Sequence, residues 1–277
     1  MPFGYSVREG YLRATASTYN PIVWGFVAMT ALGLAFAVLN DKITRLYRYA
    51  GFGLLGVGLI FSLSRGPWIG AAAIVITYVL LGPKKITRLF QLGAAGALAG
   101  AASLLTPFGQ SVIGMLPFLG GDEDATINYR RELLNTAWDV ILYNPFFGSA
   151  DFIEHSALQS MRQGQGIIDI VNTYLQIGLK SGLVGLGLFL AFFCSVILSL
   201  RKALQTTKVE NPLLANYCRA YLATTIGVLL TIFTTSSEEQ ISNIYWVLGA
   251  MGIAISRIAA ESVRLQPQPT ENAKPAH

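Results

Sequence analysis

Residues 21–39 read PIVWGFVAMTALGLAFAVL, an apolar run without a single charged side chain. The hydrocarbon core of a bilayer is about 30 Å thick, and a helix needs roughly 20 residues to cross it. This stretch is therefore predicted to be a transmembrane helix. The composition agrees, because hydrophobic residues make up 53% of the 277-residue chain and charged residues only 13%, about half the charged share of an average soluble domain.

Six further apolar runs, read outward from this one, bring the predicted number of spans to seven. We expect an all-α, polytopic bundle with spans at 21–39, 49–64, 67–82, 89–105, 182–200, 215–235 and 244–257. The predicted organisation is an extracytoplasmic segment 1–20, four spans within 21–105, an extracytoplasmic loop 106–181, three spans within 182–257 and a cytoplasmic tail 258–277.

Lysine and arginine cluster in four of the segments that connect or follow these spans. With seven crossings all four segments fall on one side of the membrane, and the positive-inside rule makes that side cytoplasmic. This distribution explains the net charge of +5 without a nucleic-acid partner. The residues are Lys42, Arg45, Arg48, Lys84, Lys85, Arg88, Arg201, Lys202, Lys208, Arg257, Arg264 and Lys274.

The N-terminal segment would face outward in this topology, although it has no apolar signal-peptide core. An odd number of spans that begins outside is unusual for a complete chain. We therefore expect the sequence either to be the C-terminal part of a larger protein or to have a misplaced start.

Outward-facing arginines are the most informative polar residues, because arginine in a membrane segment is costly unless paired. Arg65 lies in the turn Ser64–Pro67 between two predicted spans of about 16 residues, each only roughly 24 Å long at 1.5 Å per residue. The turn is therefore expected to lie below the outer surface, with Arg65 facing a wet cavity suited to an anionic ligand. The alternative is that Arg65 extends to the lipid headgroups. Arg13, before the first span, is either a third cationic contact or a simple flank.

Residues 130–143 in the outer loop are predicted to form an amphipathic helix, since apolar side chains recur there at helical spacing. Pro145 ends it, because the residue before a proline avoids the helical region. Arg130 lies in line with the apolar stripe, whereas Arg131 is rotated from it by about 100°. Arginine binds a diphosphate well, because its planar fork donates paired hydrogen bonds and keeps its charge. A solvated arginine pair is the alternative.

A second amphipathic helix is predicted over 167–179, running into the fifth span. Asn172 and Gln176 stand four residues apart on one face of it and are candidates to bind sugar hydroxyls; helix caps or interface contacts are the alternative. Asp169 and His155 are candidate general bases, although a lone histidine in an exposed loop is usually just solvated.

The sequence has no CxxC or HExxH pattern for a metal and no P-loop pattern for a nucleotide. We therefore expect neither a metal nor another cofactor. The two cysteines, Cys194 and Cys218, lie inside apolar runs and are interpreted as core residues.

Four stretches resemble the O-antigen ligase and polymerase superfamily of bacterial envelope glycan assembly. Their order and spacing match an arginine-containing segment before a span, a Ser-Arg-Gly turn, an Arg-to-Pro-x-x-Gly loop segment, and an Asn-x-Tyr-Leu segment followed by Gly-Leu-x-Gly. The stretches are YLRATASTYNPI (11–22), SLSRGPWIGA (62–71), NYRRELLNTAWDVILYNPFFGS (128–149) and VNTYLQIGLKSGLVGLGLF (171–189).

The resemblance implies a multi-pass glycosyltransferase of the bacterial inner membrane, with its large loop in the periplasm. Such an enzyme moves a glycan from a polyprenyl diphosphate in the membrane lipid to an acceptor glycan, without metal or nucleotide. The family's two functional arginines map onto Arg65 and Arg130. Ligases place a histidine where this chain has Val171, which cannot accept a proton. The resemblance therefore points to the exopolysaccharide-polymerase branch, with other polysaccharide export proteins as candidate partners.

Three alternatives stay open. One is an O-antigen ligase that transfers the glycan to a lipid or protein acceptor. Another is a transporter whose arginines bind an anionic substrate without bond cleavage, although the sequence shows no repeat of paired broken helices. The last is a non-catalytic scaffold of polysaccharide export. Release of free polyprenyl diphosphate by the purified protein would separate an enzyme from the transporter and the scaffold.

The predicted topology can be tested by cysteine labelling in intact cells, with the unmodified chain as the background. Because the basic loops lie on one side, cysteines in the other loops should react with an impermeant reagent and those in the basic loops only after permeabilisation. The first group is Ser64→Cys, Gly121→Cys and Ser237→Cys; the second is Thr44→Cys, Thr87→Cys and Thr206→Cys. Labelling of Thr87→Cys from outside would contradict this topology.

Overall fold

A computed structural model of the protein describes residues 7–8, 10–39, 43–114, 123–162, 166, 168–237 and 239–264. Among these residues the regular secondary structure is helical apart from one short antiparallel hairpin, β1 (Val7–Arg8) and β2 (Tyr11–Leu12). The all-α prediction is therefore confirmed. The helices are α1 (Pro21–Val38), α2 (Arg45–Phe61), α3 (Arg65–Leu80), α4 (Lys85–Ser103), α5 (Pro107–Gly114), α6 (Glu123–Tyr143), α7 (Ser156–Gln159), α8 (Thr173–Glu210), α9 (Pro212–Ile232) and α10 (Glu239–Arg264).

Four of the described helices, α1, α8, α9 and α10, are long and apolar enough to cross a membrane. The apolar helix α3 has only 16 residues, and α2 and α4, at the second and fourth predicted spans, have 17 and 19. The chain is thus a membrane protein with several spanning helices. A helix lies at each of the seven predicted places, and the number of seven crossings stays a prediction.

The centre of the bundle is α9, which contacts α1, α3, α8 and α10. The buried hydroxyls of Thr224, Thr225 and Thr231 each donate to the backbone carbonyl four residues earlier, which satisfies them where water does not reach. A Cβ added to Gly227 would lie 2.7 Å from the carbonyl oxygen of Gly70. Small residues therefore permit the close approach of α3 to α9.

The segment between α5 and α8 has a small core of its own. The buried face of α6 packs against α7, its flanking turns and the start of α8; its members are Leu133, Ala137, Val140, Ile141, Phe152, Leu158, Met161, Ile170 and Leu179. The predicted amphipathic helix is confirmed with its end at Tyr143, and it begins earlier than expected, at Glu123. The second predicted helix begins at Thr173 instead of residue 167, because Asn172 caps it.

The long helix α8 is broken at Gly182, where φ is 66° and ψ is −170°, a backbone conformation almost restricted to glycine. The backbone of Pro145–Ser149 lies against this break. The amides of Leu183 and Val184 donate to the carbonyls of Pro145 (2.7 Å) and Phe146 (3.3 Å), and the Ser149 amide donates to the Leu179 carbonyl (2.9 Å). These bonds satisfy groups that a helix end would otherwise leave unpaired.

Alanine substitution at this junction should destabilise the protein. Gly182→Ala forces an L residue into a conformation that costs about 1–3 kcal/mol and places its Cβ 2.6 Å from the Phe147 nitrogen. Gly148→Ala, at φ 64°, places its Cβ 2.6 Å from the Gly182 nitrogen. Both variants should unfold at lower temperature than the unmodified protein in the same detergent.

Gly187→Ala is the matched control, because this glycine lies on the same helix and a Cβ there meets no atom within 4 Å. Alanine is also the better helix former, so this variant should be at least as stable as the unmodified chain. Equal unfolding temperatures for Gly182→Ala and Gly187→Ala would show that the junction does not contribute to stability.

Candidate functional site

The turn between α2 and α3 is held by the N-terminal segment. Arg13 donates from Nε to the Ser62 carbonyl (3.1 Å) and from Nη2 to the Ser64 hydroxyl (2.7 Å). The Ser64 hydroxyl also lies 3.2 Å from the Pro21 carbonyl, at the start of α1. Within the turn Leu63 has φ 46°, which non-glycine residues rarely adopt. Arg13 thus positions the N-terminus of α3, whose first residue is Arg65.

The loop that follows α9 lies against the same turn. A Cβ added to Gly66 would come within 2.7 Å of Thr234 Oγ1, so a glycine there allows the loop to approach. Further along the loop, the Ser237 amide donates to Gln176 Oε1 (2.9 Å). The loop therefore joins the N-terminus of α3 to the first turn of α8.

Asp169 connects this loop to α6. Its Oδ1 accepts a hydrogen bond from the Ser236 hydroxyl (2.6 Å), and its backbone carbonyl accepts one from the Tyr129 hydroxyl (3.1 Å). Tyr129 immediately precedes Arg130 on α6. These two bonds place Asp169, whose carboxylate is half-buried, between the loop after α9 and Tyr129 on α6.

Arg130 shares an electrostatic environment with Arg65 and Asp169. Partial desolvation lowers the pKa of the Arg130 guanidinium, the positive charge of Arg65 lowers it further, and the carboxylate of Asp169 raises it. Arg130 nonetheless stays charged and partly open to solvent. The tertiary structure therefore places Arg130 within electrostatic range of both Arg65 and Asp169.

This grouping favours an anionic ligand. The positive charges of Arg65 and Arg130 lie within electrostatic range of each other, and the N-terminus of α3 adds the positive end of a helix dipole. Like charges held close together repel each other, and a bridging anion would relieve that repulsion. A diphosphate, with several acceptor oxygens, matches the two planar guanidinium forks.

The remaining predicted binding residues occupy other positions. Arg131 is exposed and lies on α6 about 100° from Arg130. Asn172 Oδ1 accepts hydrogen bonds from the amides of Tyr174 (2.9 Å) and Leu175 (3.2 Å) as the N-cap of α8. The side-chain oxygens of both Asn172 and Gln176 are thus engaged by backbone amides, and binding of sugar hydroxyls by these residues stays a prediction.

His155 makes contacts that suit a structural role. Its Nδ1 accepts a hydrogen bond from the Ala157 amide (3.3 Å) at the N-terminus of α7, and its ring packs edge-on against Tyr143, with centroids 5.7 Å apart. A neutral imidazole has one lone pair available as an acceptor, and here a backbone amide uses it. Asp169 is therefore the better placed of the two candidate bases.

Hydroxyl groups were missed by the sequence analysis, which singled out charged and amide side chains. Ser62, Ser64, Ser236 and Tyr129 hold the turn and the carboxylate in place. The sequence contains one signal for these hydroxyl contacts. It is the run Thr234–Ser237 at the end of an apolar span, because consecutive hydroxyl residues there can anchor a loop. Among the described residues no group of three or more His, Cys, Asp or Glu side chains could hold a metal ion.

The fold and the site together define the class of protein: it is a helical membrane protein with a cationic site at one end of its bundle. Within that class, a sequence model of the O-antigen ligase family (Wzy_C) matches residues 50–190, just over half of the chain. The chain therefore belongs to the O-antigen ligase family, whose ligase- and polymerase-like members transfer glycans from lipid carriers in membranes. The resemblance read from the sequence is confirmed, and the matched region contains Arg65, Arg130 and Asp169. No curated protein matches the chain.

Removal of the Arg13 contacts should loosen the turn that presents Arg65. Hydrogen bonds from charged groups contribute about 1.5–3 kcal/mol each, so Arg13→Gln should lower the unfolding temperature measured in detergent. Arg131→Gln, which removes the same charge from an exposed position, is the control and should leave it nearly unchanged. If the two variants unfold at the same temperature, Arg13 is only a flanking charge.

Proposed function

We propose that the protein is a polymerase-like glycosyltransferase of the bacterial inner membrane. It transfers a glycan from a polyprenyl diphosphate carrier, on the extracytoplasmic side, to an acceptor glycan. The observation that carries this proposal is the grouping of Arg65, Arg130 and Asp169, two cations and a carboxylate drawn from three separate segments of the region that matches the family.

The two arginines hold the diphosphate of the donor. Arg65 approaches from the N-terminus of α3, and Arg130 approaches from α6. Both are partly accessible, as a site for an incoming lipid-linked substrate requires. The polyprenyl chain lies among the apolar helices, so that only the diphosphate and the glycan reach the site.

Transfer then proceeds by displacement at the anomeric carbon of the donor. The acceptor hydroxyl forms a new bond to that carbon while the bond from the carbon to the diphosphate oxygen breaks, and the electron pair leaves with the diphosphate. The guanidinium groups of Arg65 and Arg130 stabilise the charge that develops on this leaving group. Asp169 accepts the proton of the acceptor hydroxyl.

The polymerase branch is favoured by the residue at position 171. Ligases of the family place a histidine there, and this chain has Val171, whose amide donates to the Asp169 carbonyl (3.1 Å). The carboxylate of Asp169 lies two residues before that position and is oriented by Ser236. We infer that Asp169 takes over proton transfer, with a growing glycan as the acceptor.

The proposal is tested by complementation of a deletion strain with variants of the full-length protein. Arg65→Lys keeps the charge but loses the planar fork, and loss of one such transition-state donor typically costs ~10²–10³ in rate. Arg130→Ala should be similarly impaired, and Asp169→Asn should lose ~10²–10⁴. Arg131→Ala should be milder, and His155→Ala should stay within a few-fold of the unmodified protein.

The measurement is the chain-length profile of carrier-linked glycan. A polymerase defect leaves single repeat units on the carrier, whereas a ligase defect leaves long polymer stranded there. Long carrier-linked chains in the deletion strain would overturn the polymerase assignment. Full-length product from Arg65→Ala and Arg130→Ala would rule out the diphosphate role of the arginines.

A further inference from the structure

A second site lies at the other end of the bundle. A cavity of about 780 Å³ opens between α1, α2, α3, α8, α9 and the start of α4. The turn at Ser64 contacts the start of α1 at Pro21, whereas the cavity is lined by Phe36 and Leu39 at the end of α1. It is therefore separate from the site of Arg65 and Arg130.

The cavity combines a cationic lining with apolar walls. Four basic residues, Arg48, Arg88, Lys208 and Arg219, line it, and none of its described lining residues is acidic. The long side chains of Arg88 and Lys208 are exposed at its rim. Apolar side chains complete the walls; they include Phe36, Leu39, Phe52, Leu81, Leu204 and Leu213.

Arg219, on the spanning helix α9, is held in one orientation. Its Nη2 donates to Asn216 Oδ1 (2.9 Å) and to the Tyr78 hydroxyl, and its guanidinium lies 3.8 Å from the centroid of the Tyr78 ring. Asn216 is fixed in turn, because its Nδ2 donates to the Phe36 carbonyl (2.8 Å). This network orients the guanidinium through neutral groups, and no acidic side chain among the described lining residues offsets its positive charge.

The Nε atom of Arg219 is buried and has no hydrogen-bond partner among the described residues. A charged group in a membrane segment is costly unless an opposite charge or further hydrogen bonds compensate it. The described lining supplies neither an opposite charge nor a hydrogen bond to Nε, so an anion from outside the chain would complete the environment of Arg219.

We propose that this cavity binds the phosphate of an anionic phospholipid, with an acyl chain along its apolar wall. Basic pockets between membrane helices bind such headgroups, and juxtamembrane lysine and arginine are attracted to anionic leaflets. A free phosphate would use the cations but not the apolar walls. The rim residues attract the headgroup, and Arg219 binds the phosphate deeper in the cavity. This site is independent of the proposed transferase function.

The test uses the full chain, purified in neutral detergent and titrated by native mass spectrometry with phosphatidylglycerol or phosphatidylcholine of the same acyl chains. One phosphatidylglycerol should bind in preference to phosphatidylcholine. The double variant Arg88→Gln/Lys208→Gln, changed only at exposed residues that should not disturb folding, should bind it about tenfold more weakly. Arg219→Gln should also weaken binding.

Arg257→Gln/Arg264→Gln is the matched control, since it removes two exposed charges from α10 that do not line the cavity. It should bind phosphatidylglycerol within about twofold of the unmodified chain. Equal affinity of the two double variants, or equal affinity for the two lipids, would overturn the proposal. Displacement of the lipid by millimolar inorganic phosphate would show a phosphate site and would overturn it too.

Discussion

The glycine-dependent junction between the α6 segment and α8 is the constraint on which the candidate site depends. At Gly182 the spanning helix is interrupted, and backbone groups of Pro145, Phe146 and Ser149 pair with the amides and carbonyl on either side of the interruption. Backbone groups that are buried at such a junction need hydrogen-bond partners. These hydrogen bonds fasten a segment with its own small core onto the bundle, and so determine where Arg130 and Asp169 lie relative to α3.

Charge in this protein is concentrated at the two ends of an otherwise apolar bundle. At one end, a turn held by Arg13 and two serine hydroxyls presents Arg65 to Arg130 and Asp169. At the other end, Tyr78 and Asn216 hold Arg219 over a cavity with a cationic lining. At this second end, neutral hydroxyl, amide and aromatic groups orient Arg219, and none of the described residues that line the cavity is acidic.

Asp169 shows what the sequence and the tertiary structure each contribute to the candidate site. Its place in the sequence made it one of two candidate bases, and His155 was the other. The structure separates them by contacts: a backbone amide occupies the accepting nitrogen of His155, whereas Asp169 faces a serine hydroxyl and lies within electrostatic range of Arg130. The difference comes from neighbours that are distant along the chain.

The sequence alone determined where the long helices lie and which arginines were candidates for the site. Apolar runs and helical spacing are local properties, so the places of the long helices and the end of α6 before Pro145 could be read from it. Only the tertiary structure decided which polar groups meet. The bonds from Arg13 to the turn, from Ser236 to Asp169 and from Pro145 to Leu183 join residues far apart in the chain. Such pairings follow from the packing of helices against each other, because no local pattern specifies the partner of a side chain across the bundle.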